Sequence, residues 1–244
     1  DLVNSNAVQF SKLQTLVLDE ADKLLNLGFR EEMTKIFALL PKKRQNLLFS
    51  ATLTEKVEEI NQVLLHKPVV INVAPAENTI DQIKQLAYFI SEEKKGPLLR
   101  YIIREGNLKQ VLVFASSIYQ ADNVADKLRK NKVNAVAIHG KKSQHARKTG
   151  LENFKSGTLR VLVATDLLAR GIDIEFLPHV INYDLPRSPK DYVHRIGRTG
   201  RAESTGEAIT LVTPEGEHHF KIIQKKMKVT VTRIDGETID LKGY

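Results

Sequence analysis

VLVFASS (residues 111–117) and RVLVATD (160–166) decide the fold of this chain. Each is an apolar run of strand length that stops on hydroxyl or acidic side chains. Runs of this kind are buried strands, and between them lie longer segments with apolar residues at helical spacing. The strands predicted in this region are Gln85–Ile90, Gln110–Ala115, Asn134–His139, Arg160–Ala164, His179–Tyr183 and Glu207–Val212. Helices are predicted over 97–105, 118–130, 144–155, 189–196 and 215–227. Strict alternation of strand and helix indicates a parallel sheet covered on both faces. Ligands of such sheets bind at the carboxyl ends of the strands. Ser116, Gly140 and Thr165-Asp166 each follow a predicted strand directly, where that rule puts a site.

Working toward the amino end, the same pattern recurs. Thr15–Asp19 (TLVLD), Asn46–Ala51 (NLLFSA) and Val69–Val73 (VVINV) read as buried strands, with helices over Glu31–Leu40 and Glu55–Leu65, the latter with Thr54 as N-cap. Ala74–Asp81 is polar, holds Pro75 and reads as a linker. The expected division is therefore 1–74, a linker over 75–84, a second domain over 85–227 and an extension over 228–244. In that extension Val229 and Val231 alternate and Asp235-Gly236 is a turn signal, which predicts a small hairpin or an ordered tail.

The 244 residues are 42% hydrophobic, enough for a substantial core, and contain no cysteine, which excludes disulfides and thiolate metal sites. No apolar run approaches the roughly 20 residues that span a bilayer. A formal charge of +8 favours a polyanionic partner. With no Trp and 6% aromatic residues, nucleic acid would be held by its backbone rather than on stacking platforms.

Asp19-Glu20 sets two carboxylates at a strand end. One can hold Mg²⁺ through its waters and the next can orient or deprotonate a water. The alternative for such residues is an acidic helix N-terminus. Ser50 and Thr52 suit either a hydroxyl relay or ordinary capping. Arg198 and Arg201 lie three apart in a segment where Gly197 and Gly200 allow close backbone approach, a spacing with which two guanidiniums can meet one phosphate. Near Thr165-Asp166, backbone amides and the Thr165 hydroxyl suit phosphate oxygens, and Asp173 in Arg170-Gly171-Ile172-Asp173 suits a ribose hydroxyl or an arginine. His139-Gly140 leads into a helix on which Gln144 and Arg147 share a face, and helix N-terminal amides favour phosphate. Two resemblances carry no chemistry. Gly140-Lys141-Lys142-Ser143 lacks the earlier glycine (Ala135) and the following hydroxyl (Lys142) of a phosphate loop. His218-His219 has no metal-ligand spacing.

With LVLDEADKLLNLGF (16–29), FSAT (49–52), HGKKSQHARKTGLENFKSG (139–157), LVATDLLARGIDI (162–174), VINYDLP (180–186) and YVHRIGRTGR (192–201) in this order, the chain resembles the DEAD-box ATP-dependent RNA helicases, in particular the bacterial RhlE group. The resemblance runs from Asp1 to about Lys225. It implies two RecA-like domains forming a cleft, with ATP and Mg²⁺ as cofactors and a cytoplasmic location. Asp19 would position Mg²⁺ and Glu20 would be the base. Asp22, Ser50, Thr52 and His194 would couple the nucleotide to domain closure. Arg198 and Arg201 would meet the terminal phosphate, and Gly171 with Asp173 the ribose. Gly140, Gln144, Arg147 and Thr165 would contact the RNA backbone without reading sequence. A ribosomal or degradosome-type protein is a candidate recruiter. The family's adenine-sensing glutamine segment and its Gly-Lys-Thr phosphate loop do not occur in the chain. The expectation is a fragment that begins partway through the first domain, exposes a sheet edge there and does not hydrolyse ATP by itself. An ATP-independent RNA-binding module is the competing reading; Asp22 and His194 disfavour a DNA translocase.

Overall fold

The computed structural model describes residues 2–26, 28–50, 64–65, 67–73, 83–166, 174, 177–200 and 206–244. The chain divides into two units, Asp1–Ala74 and Pro75–Tyr244.

In the first unit, β1 (Thr15–Leu18), α1 (Ala21–Asn26), α2 (Arg30–Ala38) and β2 (Gln45–Leu48) follow one another. β1 and β2 pair in parallel with Leu18 opposite Leu48. Gly28 turns the chain between the helices at φ +87°, a left-handed conformation that favours glycine. Leu18, Leu25, Met33 and Leu64 form the small core. The predicted helix over Glu55–Leu65 lies outside the described residues except for its last two positions. Val69–Val73 differs from expectation: no strand forms there, and Val69, Val70, Ile71 and Val73 are 65–87% exposed. Apolar content licenses a buried strand only where a partner strand lies alongside, and the described sheet of this unit consists of β1 and β2.

The second unit is a seven-stranded sheet in the order β5-β6-β4-β7-β8-β3-β9, with every adjacent pair parallel. Its elements are β3 (Lys84–Phe89), α3 (Lys95–Glu105), β4 (Val111–Phe114), α4 (Ile118–Lys130), β5 (Ala135–Ile138), α5 (Gln144–Lys155), β6 (Val161–Ala164), β7 (His179–Asn182), α6 (Pro189–Ile196), β8 (Glu207–Val212), α7 (Glu217–Met227) and β9 (Thr232–Asp235). Successive residues of a strand face opposite sides. Thus Val111 and Val113 of β4 pack with Leu98 and Ile102 of α3 and Val124 and Leu128 of α4. Leu112 and Phe114 pack with Phe154 of α5 on the other face. Tyr192 and Ile196 of α6 join Phe220 and Ile223 of α7 over Ala208 and Val212. Helices α4, α5 and α6 fall on the predicted 118–130, 144–155 and 189–196, and each opens on a serine whose side chain accepts a backbone N–H: Ser117, Ser143 and Ser188.

The carboxyl-terminal residues make no hairpin. β9 runs parallel to β3, Leu86 facing Thr232 and Phe89 facing Asp235, and so covers an edge that would otherwise present unpaired amides. Asp235 instead caps a short 3₁₀ turn, its Oδ1 accepting from the Glu237 amide at 3.0 Å. The turn must be tight: a Cβ on Gly236 would lie 2.9 Å from the Phe89 carbonyl oxygen. Glu237 then accepts from the Ser91 amide at 2.7 Å and pairs with Lys94.

Candidate functional site

In the first unit, the parallel register brings Asp19 and Phe49 out side by side. Phe49 N donates to the Leu18 carbonyl at 2.8 Å, and Ala21 N donates to the Phe49 carbonyl at 3.1 Å. Asp19–Asp22 and Ser50 therefore share one end of this sheet. Glu20 is held at φ +47°, a conformation L residues seldom adopt and one that concentrates at functional positions. Its amide donates to Asp19 Oδ1 at 2.8 Å. Asp22 is buried within α1. A cavity of about 570 Å³ opens here, lined by Asp19, Glu20, Phe49, Ser50 and the segment 68–73. Thr52 lies outside the described residues.

In the second unit the registers set Ile138, Ala164, Phe114 and Asn182 in one row. The next residues, His139, Thr165, Ala115 and Tyr183, emerge together at the carboxyl end, with neighbouring strands about 4.8 Å apart. Gly140 and Thr165 thus rise from adjacent strands. The loop after β5 is clamped to α4: Asp122 accepts from Lys142 Nζ at 2.8 Å and faces His139 Nε2 at 3.0 Å. Lys142 first, then His139, hold the Asp122 carboxyl below its usual range. Gln144 and Arg147 stand on the first turns of α5. The Arg147 Nε is buried without a hydrogen-bond partner.

Arg195 organises this end of the sheet, and the sequence reading, which singled out Arg198 and Arg201, passed over it. It is 2% exposed. Its Nε and Nη2 donate to the two oxygens of Asp166 at 2.6 and 2.8 Å, a bidentate geometry. Its Nη1 donates to Asn182 Oδ1 at 3.1 Å and to the Asp184 carbonyl at 2.6 Å. The guanidinium also lies 4.9 Å over the Phe114 ring. Helical spacing carried the signal: Tyr192, Arg195 and Ile196 lie at i, i+3 and i+4, so the arginine shares the buried face. Asp184 in turn accepts from the Ser116 amide at 2.9 Å and pairs with Lys95 at 2.6 Å.

Beyond α6 the backbone passes close to the starts of β7 and β8. Leu177 N donates to the Arg198 carbonyl at 3.0 Å. Gly200, at φ +66°, and Gly206 lie back to back; a Cβ on Gly206 would sit 2.0 Å from Thr199 Oγ1 and 2.4 Å from Gly200 N. Only glycines allow this approach, which fixes where the segment after Arg198 leaves and rejoins the sheet. Gly171, Asp173 and Arg201 lie outside the described residues. Among the described residues, no group of three or more His, Asp or Glu is gathered to hold a metal. No described helix is long and apolar enough to cross a membrane.

Residues 1–60 match the DEAD/DEAH box helicase family, and residues 93–203 match the helicase conserved C-terminal domain. The structure of the C-terminal domain of the DEAD-box protein Dbp5 is 31% identical, with a TM-score of 0.62 over 66% of this chain and 95% of that one. The chain belongs to the DEAD-box RNA helicase family. Dbp5 of S. cerevisiae bound to RNA and ADP BeF3 aligns at 31% identity and a TM-score of 0.83 over 96% of this chain and 63% of that one. The sheet units are thus RecA-like, as in those helicases. The DEAD-box ATP-dependent RNA helicase CshA of Geobacillus kaustophilus is 38% identical over 240 residues, which are 98% of this chain and 51% of that protein. The chain spans about half the length of the curated relatives it matches.

Proposed function

We propose that the whole protein is an ATP-dependent RNA helicase that couples nucleotide hydrolysis to local opening of RNA duplexes in the cytoplasm, and that this chain carries part of that machinery. The observation that supports it best is the row of strand ends bearing Gly140 and Thr165 and joined through Asp166 and Arg195 to the helix that leads into Arg198. Residues 1–74 are the rear of the first helicase domain and 85–227 the second.

The donor set at Asp19 and Glu20 fits Mg²⁺: two carboxylates beside an open cavity, hard oxygens of the kind that ion takes, commonly through its waters. Bound there, the ion would offset charge on phosphate oxygens. Asp19 would hold it, its Oδ1 oriented by the Glu20 amide, and the Glu20 carboxylate would take the proton of an attacking water. Arg198 and Arg201 would neutralise the terminal phosphate, while Gly171 and Asp173 would take the ribose. Asp22, Ser50, Thr52 and His194 would link nucleotide state to domain closure. Gly140, Gln144, Arg147 and Thr165 would hold RNA phosphates. An Arg147 Nε with no acceptor among the described residues supports that assignment.

The 244 residues contain no Gly-x-x-x-x-Gly-Lys-Ser/Thr loop to cradle the phosphates, so the chain by itself is expected to release no phosphate from ATP. RNA-stimulated turnover in a clean preparation would refute this. RNA binding is tested by anisotropy with single-stranded RNA and DNA of equal sequence across a salt series. RNA is expected to bind more tightly, with affinity falling steeply with salt. Arg147→Ala should reduce the slope of log affinity against log salt by about 1. Equal binding of DNA, or an unchanged slope, would count against these assignments.

A further inference from the structure

Helices α3 and α4 lie on one face of the second sheet, and a groove of about 480 Å³ runs between their outer flanks. It meets the row of strand ends described above only at Tyr183, and none of the residues assigned to nucleotide or RNA lines it. Arg100 of α3 lines it. This side chain is 8% exposed, and among the described residues it has no hydrogen bond and no ion pair; its Nε is buried and unmatched. Burial, then the like charge of Arg104, push its pKa down. A buried cation without an anion is strongly unfavourable, and a group in that state calls for an explanation.

The surroundings specify what would satisfy it. Gly96, one turn earlier, has no side chain to fill the groove; a Cβ there would lie 3.5 Å from Arg100 Nη1. Across the groove, Gln120, Asn123 and Lys127 sit at i, i+3 and i+7 of α4, on one helical face. Among the described residues, the two amide side chains make no hydrogen bond and Lys127 makes no ion pair. The groove therefore offers two cations and free amide donors and acceptors. Glu92 and Glu93 also line it, with Glu92 engaged by Lys95 at 3.1 Å. With two carboxylates beside the two cations, the lining favours a singly charged carboxylate set among neutral peptide groups over a multiply charged phosphate or a nucleic-acid backbone.

We propose that this groove is a docking site for an acidic peptide segment of a partner protein, with Arg100 receiving a carboxylate through its guanidinium, Lys127 adding a second charge, and Gln120 and Asn123 engaging the peptide backbone. A guanidinium matches a planar carboxylate in two parallel hydrogen bonds.

The test follows the Arg100 Nε–H resonance of the ¹⁵N-labelled full chain. The probes are acetyl-Gly-Glu-Gly-Glu-Gly-amide, the same peptide with Gln for Glu, inorganic phosphate and a single-stranded RNA oligonucleotide. A saturable shift with the Glu peptide is expected, with affinity at least about tenfold lower for the Gln peptide, as loss of a charged hydrogen bond implies. In Arg100→Met, which lacks that resonance, the backbone amides of Gln120, Asn123 and Lys127 should no longer shift with the Glu peptide. In Gly96→Leu, which occupies the groove and leaves the charge in place, the Arg100 response should weaken. Without peptide, Arg100→Met should melt no lower than the parent, because it removes an uncompensated buried charge. An equal response to the Gln peptide, tighter binding of phosphate or RNA, an unaffected Gly96→Leu variant, or a lower melting temperature for Arg100→Met would each overturn the proposal.

Discussion

In the unit Asp1–Ala74, Val17 of β1, Leu47 of β2 and Phe49 just past β2 stand open to solvent, whereas no residue of β4 or β6 in the unit Pro75–Tyr244 is exposed. Both units build from a strand that ends in polar residues and passes into a helix. The difference is coverage. A parallel sheet withdraws apolar surface from water only where helices lie on both faces, at about 25 cal/mol per Å² covered. The described part of the second unit has five α-helices over seven strands, and that of the first has two helices beside two strands. The same local grammar thus yields a deep core in one unit and a thin one in the other. The polar motif residues sit at strand ends in both.

The largest expected effect tests the charged centre of the better-covered unit. Arg195→Ala opens a void beside the half-buried Asp166 and leaves Asn182 Oδ1 and the Asp184 carbonyl without their donor, and should destabilise that unit by about 3 kcal/mol. Urea unfolding followed by a probe in each unit should show the loss in the second transition alone. A matching loss in both transitions would mean the units do not unfold separately. Next comes Met33→Ala, in the thin core. A site whose surroundings can relax loses less than the 2–5 kcal/mol of a deep core, so about 1–2 kcal/mol is expected, confined to the first transition. A loss above that range would show that the first unit packs as tightly as the second.

The smallest effect concerns β9. The Lys94 ammonium first, and then the Ser91 amide, hold the Glu237 carboxyl down at about 2, below its usual value of 4.5. A carboxyl depressed in the folded state contributes stability above pH 4.5, and that contribution fades as pH falls from 4.5 toward 2. Amide exchange of Thr232–Asp235 should therefore accelerate between pH 6 and pH 3 relative to β4. In Glu237→Gln that relative acceleration should be absent; its persistence would place the pH dependence elsewhere.

How much of this was legible in the sequence follows from the physics of each signal. Helices α4, α5 and α6 lie where their apolar spacing and serine caps put them, because both signals are local. β4 and β6 stood out because a strand buried on both faces is apolar at every position. Val69–Val73 carries the same composition without the ladder, since pairing depends on a neighbouring strand that composition does not report. β9 was hidden for the converse reason: its burial is slight, and what recruits it is the open edge of β3, 143 or more residues away in sequence, across the contacts Lys94–Glu237 and Ser91–Glu237. Among the candidate site residues, motif spacing found those at strand ends. Arg195 was passed over because a charged residue on an apolar helical face is explained only by its partner, and Asp166 is supplied by the segment after β6, distant in sequence.

The bridge from Asp166 to Arg195 has a consequence in thermodynamic linkage. Thr165 adjoins the carboxylate, and the helix carrying the guanidinium runs directly into Arg198. A ligand that displaces Asp166 must strain or relax the turn bearing Arg198, and a ligand on Arg198 must act back on Thr165 to the same extent in free energy. Two binding events at this end of the sheet would then share a single coupling constant. Severing one bidentate pair would set that constant to one while leaving each contact residue in place.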